Sequence, residues 1–219
     1  MTTWTTQDTQ RGRDGAWVLA LGGASLLAVF AAAAWTRGWA LFSLLPPGGG
    51  VADVLPTQRE DLHRTFFTIW ASLLLAAPAL ALLPLASRSA VAARVWRICW
   101  TASLLVFAVH FYWAVVVIFG NDWQRVLNTP RVSAPRLDTV FALWWCVDVL
   151  LAWTVRPGAL WVRVQRAGVH LLAFVLFFMG AAREGELPVS RALGWGFTAV
   201  VVLGLVAWAW RLRRPAGAR

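Results

Sequence analysis

The chain alternates between long runs of apolar residues and short polar segments that are rich in arginine. Six runs reach or approach the ~20 residues that a helix needs to cross a hydrocarbon layer of about 30 Å. Apolar residues follow one another within each run and do not alternate with polar ones, which favours helices over a membrane β-barrel. The pattern predicts an all-α, polytopic integral membrane protein. Its bundle of six transmembrane helices covers residues 16–35, 65–86, 98–119, 139–155, 167–182 and 192–210.

Residues 16–210 form one predicted transmembrane domain between two short tails. We predict that residues 1–15 are a cytoplasmic N-terminal tail and that residues 211–219 are a basic cytoplasmic tail. The first apolar run exceeds the ~7–15 residues of a usual signal-peptide core, so we expect an uncleaved helix. The chain shows no internal repeat of the kind that marks inverted-repeat transporters.

Charge placement predicts the orientation of the bundle. All 20 basic residues are arginine, and the formal net charge is +10. With the N-terminus inside, the inner segments hold 12 arginines and two acidic residues, and the outer segments hold eight arginines and seven acidic residues. Basic residues concentrate on the cytoplasmic side of membrane proteins. We therefore predict an N-in/C-in protein of the cell inner (plasma) membrane.

The same arginines indicate the partners of the protein. They are scattered over short loops and a tail, which is typical of topology signals that contact anionic lipid headgroups. We therefore expect the lipid bilayer and other membrane subunits as partners, and no nucleic acid. The absence of lysine excludes Schiff-base chemistry and the lysine of a phosphate-binding loop.

The chain is tryptophan-rich, with 16 Trp. Indole rings prefer the depth of the lipid headgroups, where both the apolar ring and the N–H are satisfied. Four residues, Trp70, Trp113, Trp144 and Trp145, lie deeper than this. Apart from Trp4 in the tail, we interpret the others as interface anchors: Trp17, Trp35, Trp39, Trp96, Trp100, Trp123, Trp153, Trp161, Trp195, Trp208 and Trp210.

Asp148 is the one charged residue inside a predicted span. Such a group costs about 2.5–3.5 kcal/mol at the centre of a helix, so it should find a partner. Arg163 and Arg166 are expected to extend towards the inner surface, whereas His110 lies at a similar predicted depth on the third span. We predict an intramembrane pair of His110 with Asp148. Helical spacing predicts that four aromatic residues line it: Phe107, Trp113, Trp144 and Trp145.

Several kinds of chemistry fit such a pair. It can be a buried hydrogen bond that fixes helix register, a proton relay, a haem or metal tetrapyrrole site, or a quinone site. His110 is the first candidate for cofactor binding, and His170, one turn inside the fifth span, is the second. Cys99 and Cys146 are interpreted as small buried hydrophobes. We expect no bound metal and no bound cofactor.

Catalytic motifs do not accompany these residues, since HExxH, GxSxG, GxxxxGK[ST] and CxxC are absent from the sequence. The sequence therefore favours a non-enzymatic multi-pass protein: an accessory, assembly or interaction subunit of a membrane complex. A small-solute or proton-coupled transporter that uses Asp148 and His110 is one alternative. A redox or cofactor-binding membrane protein, with quinone, haem or pigment, is the other.

Loops and small residues give further predictions. Pro130 and Pro135 should keep the outer loop 120–138 extended, with Asp138 as the N-cap of the fourth span. The longest outer loop, residues 36–64, is expected to lie at the membrane interface, with a short re-entrant segment as the alternative. Glycines in the first and last spans let helix backbones approach closely, so we expect these two helices to pack against neighbours: Gly22, Gly23, Gly194, Gly196 and Gly204.

Overall fold

A computed structural model of the protein describes residues 3–37, 59–129, 133–155, 159–185 and 187–213. These residues form helices and turns, and no strand occurs among them. Six helices are long and apolar enough to cross a membrane. The predicted all-α fold with six candidate transmembrane helices is therefore confirmed, while the N-in/C-in orientation stays a prediction.

Seven α-helices follow one another along the described parts of the chain, and all but the short α4 are candidate spans. Their bounds are α1 Thr3–Arg37, α2 Arg59–Leu82, α3 Ala90–Phe111, α4 Trp123–Asn128, α5 Pro135–Thr154, α6 Leu160–Phe177 and α7 Pro188–Arg213. A 3₁₀ turn, Leu83–Leu85, follows α2. Helices α3 and α6 continue as π-helical segments, Tyr112–Ile118 and Phe178–Arg183.

Helix boundaries differ from the predicted ones where polar residues extend an apolar run. Helix α1 already begins within the predicted N-terminal tail. The Ser89 hydroxyl accepts a hydrogen bond from the Ala92 N–H and caps α3. Pro135 occupies the first turn of α5, where the missing N–H costs nothing. Polar first and last turns are therefore part of these helices, and most spans are longer than predicted.

The centre of the bundle is α2. Two thirds of its apolar window (67%) is buried, against 17% for α1 and for α7, which lie at the periphery. The main core joins α2 to α3, α5, α6 and α7 through residues such as Leu73, Trp100, Trp145 and Val169. A smaller core joins α1 to α2 and α3 around Val18 and Val106. Five helices are thus arranged around α2, although α5 and α6 reach it mainly through side chains of the core.

Two of the five predicted glycine contacts are very close. A Cβ on Gly204 of α7 would lie 2.5 Å from the Ala81 carbonyl oxygen, and a Cβ on Gly194 would clash with the backbone of Ala181 and Ala182. A Cβ on Gly22 would make ordinary van der Waals contact with α3, at 3.8 Å from the Ala102 carbonyl oxygen. Nothing lies within 4 Å of a Cβ on Gly23 or Gly196. The first and last membrane helices therefore pack against neighbouring helices as predicted, most closely at Gly194 and Gly204, whereas Gly23 and Gly196 lie outside these contacts.

Gly204→Ala is expected to lower the free energy of unfolding by about 1–2 kcal/mol, the usual cost of overpacking. The added methyl would press against the Ala81 backbone, which cannot rotate away as a side chain would. Gly196→Ala, on the same helix with open space around it, is the matched control and should leave stability unchanged. Thermal unfolding of the two purified variants in detergent measures the difference. Equal melting temperatures would contradict the close α2–α7 approach.

The loop between α3 and α5 is partly helical, so the prediction of an extended segment is wrong for its first half. Gly120 and Asn121 adopt left-handed φ values of 61° and 62°, and Asp122 then caps α4 by accepting from Gln124 N–H and Arg125 N–H. Asp138 does not cap α5, because the helix already begins at Pro135 and Asp138 lies in its first turn. The predictions for Pro130 and for residues 38–58 of the longest loop lie outside the described residues.

Candidate functional site

The bundle has two chemically different ends. Successive membrane helices run in opposite directions, so the starts of α1, α3 and α6 share one end with the last turns of α2, α5 and α7. We call it the basic end because Arg94 and Arg97 lie there, and we call the other the far end. Two charged clusters occupy the basic end, and a cavity occupies the far end.

The carboxylate of Asp148, on α5, is fully buried and accepts three hydrogen bonds. Trp100 of α3 donates Nε1–H to Oδ2 at 2.9 Å. From α6, Gln165 donates Nε2–H to Oδ1 at 2.7 Å, and Arg166 donates Nε–H to the same oxygen at 3.2 Å. One carboxylate therefore joins three helices and neutralises a buried arginine.

Arg166 and His170 complete this Asp148 cluster. The Arg166 guanidinium lies over the Trp96 ring, 4.4 Å from its centroid, and its Nη2 has no hydrogen-bond acceptor in the described part of the chain. Trp96 donates Nε1–H to His170 Nε2 at 2.9 Å. His170 Nδ1 lies 2.8 Å from the Arg166 carbonyl oxygen and donates to it. Both nitrogens of His170 are therefore in use, which leaves no lone pair for the cofactor-binding role considered from the sequence.

The predicted pairing of His110 with Asp148 is wrong. His110 Nδ1 instead donates to the Thr65 carbonyl oxygen at 3.0 Å. Helix α5 starts at Pro135, and the π-helical segment after α3 ends at Ile118, so these two residues mark the far end. With a helical rise of about 1.5 Å per residue, Asp148 lies about 20 Å from that end and His110 about 12 Å. The two groups therefore lie in different halves of the bundle.

Arg166 was missed as the partner because it was expected to extend to the surface. Helix α5 ends at Thr154 and α6 begins at Leu160, on either side of the loop that connects them. By the helical rise, Asp148 and Arg166 each lie about 9 Å from their end of this loop. Equal distances place the two side chains at the same depth on the adjacent antiparallel helices α5 and α6. Once the helix ends are known, this equality can be read from the sequence and indicates that Asp148 pairs with Arg166.

The predicted aromatic lining is divided among several sites. Trp145 packs on Trp100 with ring centroids 4.5 Å apart, and its own Nε1 lacks a partner within the described residues. Trp144 donates Nε1–H to Gln165 Oε1 at 3.1 Å. Trp113 is buried beneath the guanidinium of Arg64, which is 4.7 Å from the ring centroid. Trp144 and Trp145 therefore belong to the surroundings of Asp148, whereas Trp113 does not.

Two residues expected at the membrane interface are instead part of the core. Trp96 and Trp100 are 5% and 0% exposed, because their N–H groups donate to His170 and Asp148. Cys146 is exposed on α5, so its prediction as a buried hydrophobe is wrong, whereas Cys99 is buried as expected.

A second charged cluster surrounds Asp14, a residue assigned by the sequence to the N-terminal tail. Its side chain is fully buried and accepts from Arg94 Nε at 2.6 Å and from Arg97 Nη2 at 2.5 Å. Gln10 adds a hydrogen bond at 3.2 Å. The Arg97 guanidinium also lies over the Trp153 ring, 4.8 Å from its centroid. This Asp14 cluster connects α1, α3 and α5 at the basic end.

The far end holds a partly open cavity of about 320 Å³. Its walls come from six α-helices and both π-helical segments, with aromatic rings such as Phe107, Phe141 and Phe177. Polar side chains that line it are Thr65, His110, Thr129, Asp138, Thr139, Glu184 and Ser190. A mainly apolar cavity with a few converging polar groups is the usual form of a small-molecule site. We call it the far-end cavity.

Both π-helical segments line the far-end cavity. Their wide turns are shown by the bonds of Phe119 N–H to the Ala114 carbonyl and of Glu184 N–H to the Met179 carbonyl, each spanning five residues. Ala114 and Gly180, one from each segment, line the cavity. Single π turns are rare and occur frequently at functional sites. Two of them beside one cavity mark this end of the bundle as the candidate site.

His110 lines this site, and one of its ring nitrogens is outside the hydrogen bond to Thr65. Because Nδ1–H donates to Thr65, Nε2 carries the lone pair of the neutral ring, and the described residues provide it with no hydrogen-bond partner. Within the same residues no group of three or more His, Cys, Asp or Glu side chains is arranged to hold a metal ion.

Comparisons with models of known protein families, with curated protein sequences and with solved structures find no match to this chain.

Proposed function

We propose that this multi-pass membrane protein acts by binding a small amphiphilic molecule in the far-end cavity. The observation that carries the proposal is the composition of that cavity: apolar walls, with the polar groups His110, Asp138 and Glu184 converging on the same space. Apolar walls bind the body of a ligand, and a few polar groups fix its orientation. With Nδ1–H donating to Thr65, His110 Nε2 can accept a hydrogen bond.

In this proposal the Asp148 cluster has a structural role and does not bind the ligand. Its carboxylate is fully buried and already accepts from Trp100, Gln165 and Arg166. A transporter that uses Asp148 together with His110 would need both groups on one pathway. Their separation between the two halves of the bundle removes that support.

The proposed role requires no covalent reaction and is compatible with an accessory subunit of a membrane complex. Native co-purification tests that broader hypothesis. A quinone also belongs to the class of amphiphilic ligands, because its carbonyl oxygens accept hydrogen bonds beside apolar walls. A quinone is neutral, so the charge of the ligand that binds distinguishes a quinone from a charged ligand of the cavity.

Filling the cavity is expected to weaken ligand binding. Gly180 lines the cavity, and a Cβ there would meet no atom within 4 Å, so Gly180→Phe should occupy the space without disturbing the helices. Gly23→Phe on α1, also with open space around it, is the matched control. Two probes are used: 3-phenylpropyltrimethylammonium and its neutral isostere (4,4-dimethylpentyl)benzene, in which carbon replaces nitrogen.

Binding of both labelled probes to protein in lipid nanodiscs is measured by equilibrium dialysis, with protein-free nanodiscs subtracted. We expect saturable binding of at least one probe, weakened on the order of 10-fold by Gly180→Phe, which corresponds to about 1.4 kcal/mol. Gly23→Phe should bind like the unmodified protein. The proposal fails when neither probe binds saturably, or when the two variants bind equally well.

A further inference from the structure

Two acidic side chains line the far-end cavity from different helices. Asp138 lies in the first turn of α5, and Glu184 follows the π-helical segment of α6. Because both carboxylates line the same cavity, their charges repel each other. Neither forms an ion pair with an arginine in the described part of the chain. At the basic end, by contrast, Asp14 and Asp148 are both paired with arginines.

Three arginines at the far end have other contacts. Arg64 lies over the Trp113 ring. Arg136 donates to the Asn128 side chain at 3.2 Å, and Arg191 donates Nε–H to the Gly185 carbonyl oxygen at 2.9 Å. Although the net charge is +10, the described residues thus leave two carboxylates facing one cavity without a paired cation.

Helix ends add to the negative potential at Glu184. The carboxyl end of a helix carries a partial negative charge, and Glu184 directly follows the last turn of the α6 segment. Asp138, in the first turn of α5, lines the same cavity. The negative potential at Glu184 therefore favours a cationic group near the two carboxylates.

Polar and apolar groups are sorted along the cavity. The carboxylates stand at helix ends, whereas Phe141 lies one turn further along α5 and Phe177 two turns back along α6. Phe107 lies one turn deeper than His110 on α3. Aromatic faces attract cations as well as apolar groups. A ligand with a cationic head at the helix ends and an apolar body among the rings matches this order.

We propose that the far-end cavity selects lipophilic cations: an amine or quaternary ammonium head held by Asp138 and Glu184, with an apolar body among the phenylalanine rings. This inference rests on the proposed function and goes further, because it names the charge of the ligand. Binding involves no covalent step. The cation replaces the arginine partner that Asp14 and Asp148 possess at the basic end.

The test compares the same two probes, which have the same shape and differ in charge. The unmodified protein should bind 3-phenylpropyltrimethylammonium at least ~10-fold more tightly than the neutral isostere, a difference of about 1.4 kcal/mol. Asp138→Asn/Glu184→Gln should remove this preference. Asp122→Asn is the matched control, because Asp122 is an exposed carboxylate of the same end that does not line the cavity, and Asn caps α4 equally well. Glu184→Gln alone, at an exposed position, replaces the double variant when the latter does not fold.

The possible results separate the two proposals. Equal saturable binding of both probes, with sensitivity to Gly180→Phe, would overturn cation selectivity and leave the proposed function standing. A preference for the cation that persists in Asp138→Asn/Glu184→Gln would also overturn it, because the charge would then be recognised elsewhere. Absence of saturable binding of either probe would overturn both proposals.

Discussion

Asp148→Asn is expected to lower the free energy of unfolding by about 3–5 kcal/mol, the cost of removing one partner of a buried ion pair. An amide carries one oxygen and an NH₂ group, so it cannot accept from Trp100 on one side and from Gln165 and Arg166 on the other. The Arg166 guanidinium would keep its charge inside the bundle without a carboxylate. Equilibrium unfolding in mixed micelles measures the loss.

A double-mutant cycle shows whether the loss comes from the uncompensated charge. Asp148→Asn/Arg166→Gln removes both charges and keeps hydrogen-bonding groups at both positions. The single variants are Asp148→Asn and Arg166→Gln. We expect the double variant to lose at least ~1 kcal/mol less unfolding free energy than the sum of the two single losses, as for residues in one network. Strict additivity would show that Asp148 and Arg166 do not interact, contrary to their 3.2 Å contact.

Asp14→Ala is expected to lower the free energy of unfolding by about 2–4 kcal/mol. Two charge-assisted hydrogen bonds are lost, each worth about 1.5–3 kcal/mol, and the total is reduced because the Arg94 and Arg97 side chains are 37% and 28% exposed. Water can therefore solvate the two arginines in the variant. Helix α1 loses its only charged contact described with α3, so amide hydrogen exchange should accelerate there first.

A charge exchange provides the control for this prediction. Arg94→Asp alone places two carboxylates together, whereas Asp14→Arg/Arg94→Asp restores opposite charges in reversed order. We expect the double variant to recover part of the protection from hydrogen exchange in α1. Protection that is unchanged in Asp14→Ala would mean that α1 is held by the apolar contacts around Val18 alone.

The fold was predictable because it depends on length and hydropathy, which are local properties. Every apolar run became a helix, including the first, whose partners are distant in the chain. Helix ends were less predictable, because Pro135 starts α5 before the predicted span begins, and hydropathy gives no signal of the π-helical turns that end α3 and α6. Wider turns change the depth of each residue, and hydropathy does not report them.

The candidate sites were predictable only in part. Asp148 was identified as a charge that needs a partner, and that requirement holds in the structure. The partner was misassigned since Arg166 has a side chain long enough to reach the surface, and the choice between surface and interior depends on the position of Trp96. The far-end cavity depends on the packing of six helices, and single residues such as Asp138 or Gly180 carry no signal of it.

The ion pairs of the two charged clusters can form at different stages of synthesis of the chain. Arg166 follows Asp148 after 18 residues, so α5 and α6 can enter the bilayer as a hairpin whose charges are already paired. Arg94 follows Asp14 only after 80 residues, by which time α1 and α2 have left the ribosome. The newly made α1 therefore keeps Asp14 in contact with water until α3 emerges. The ion pairs of Asp14 with Arg94 and Arg97 therefore form only when the third membrane helix has arrived.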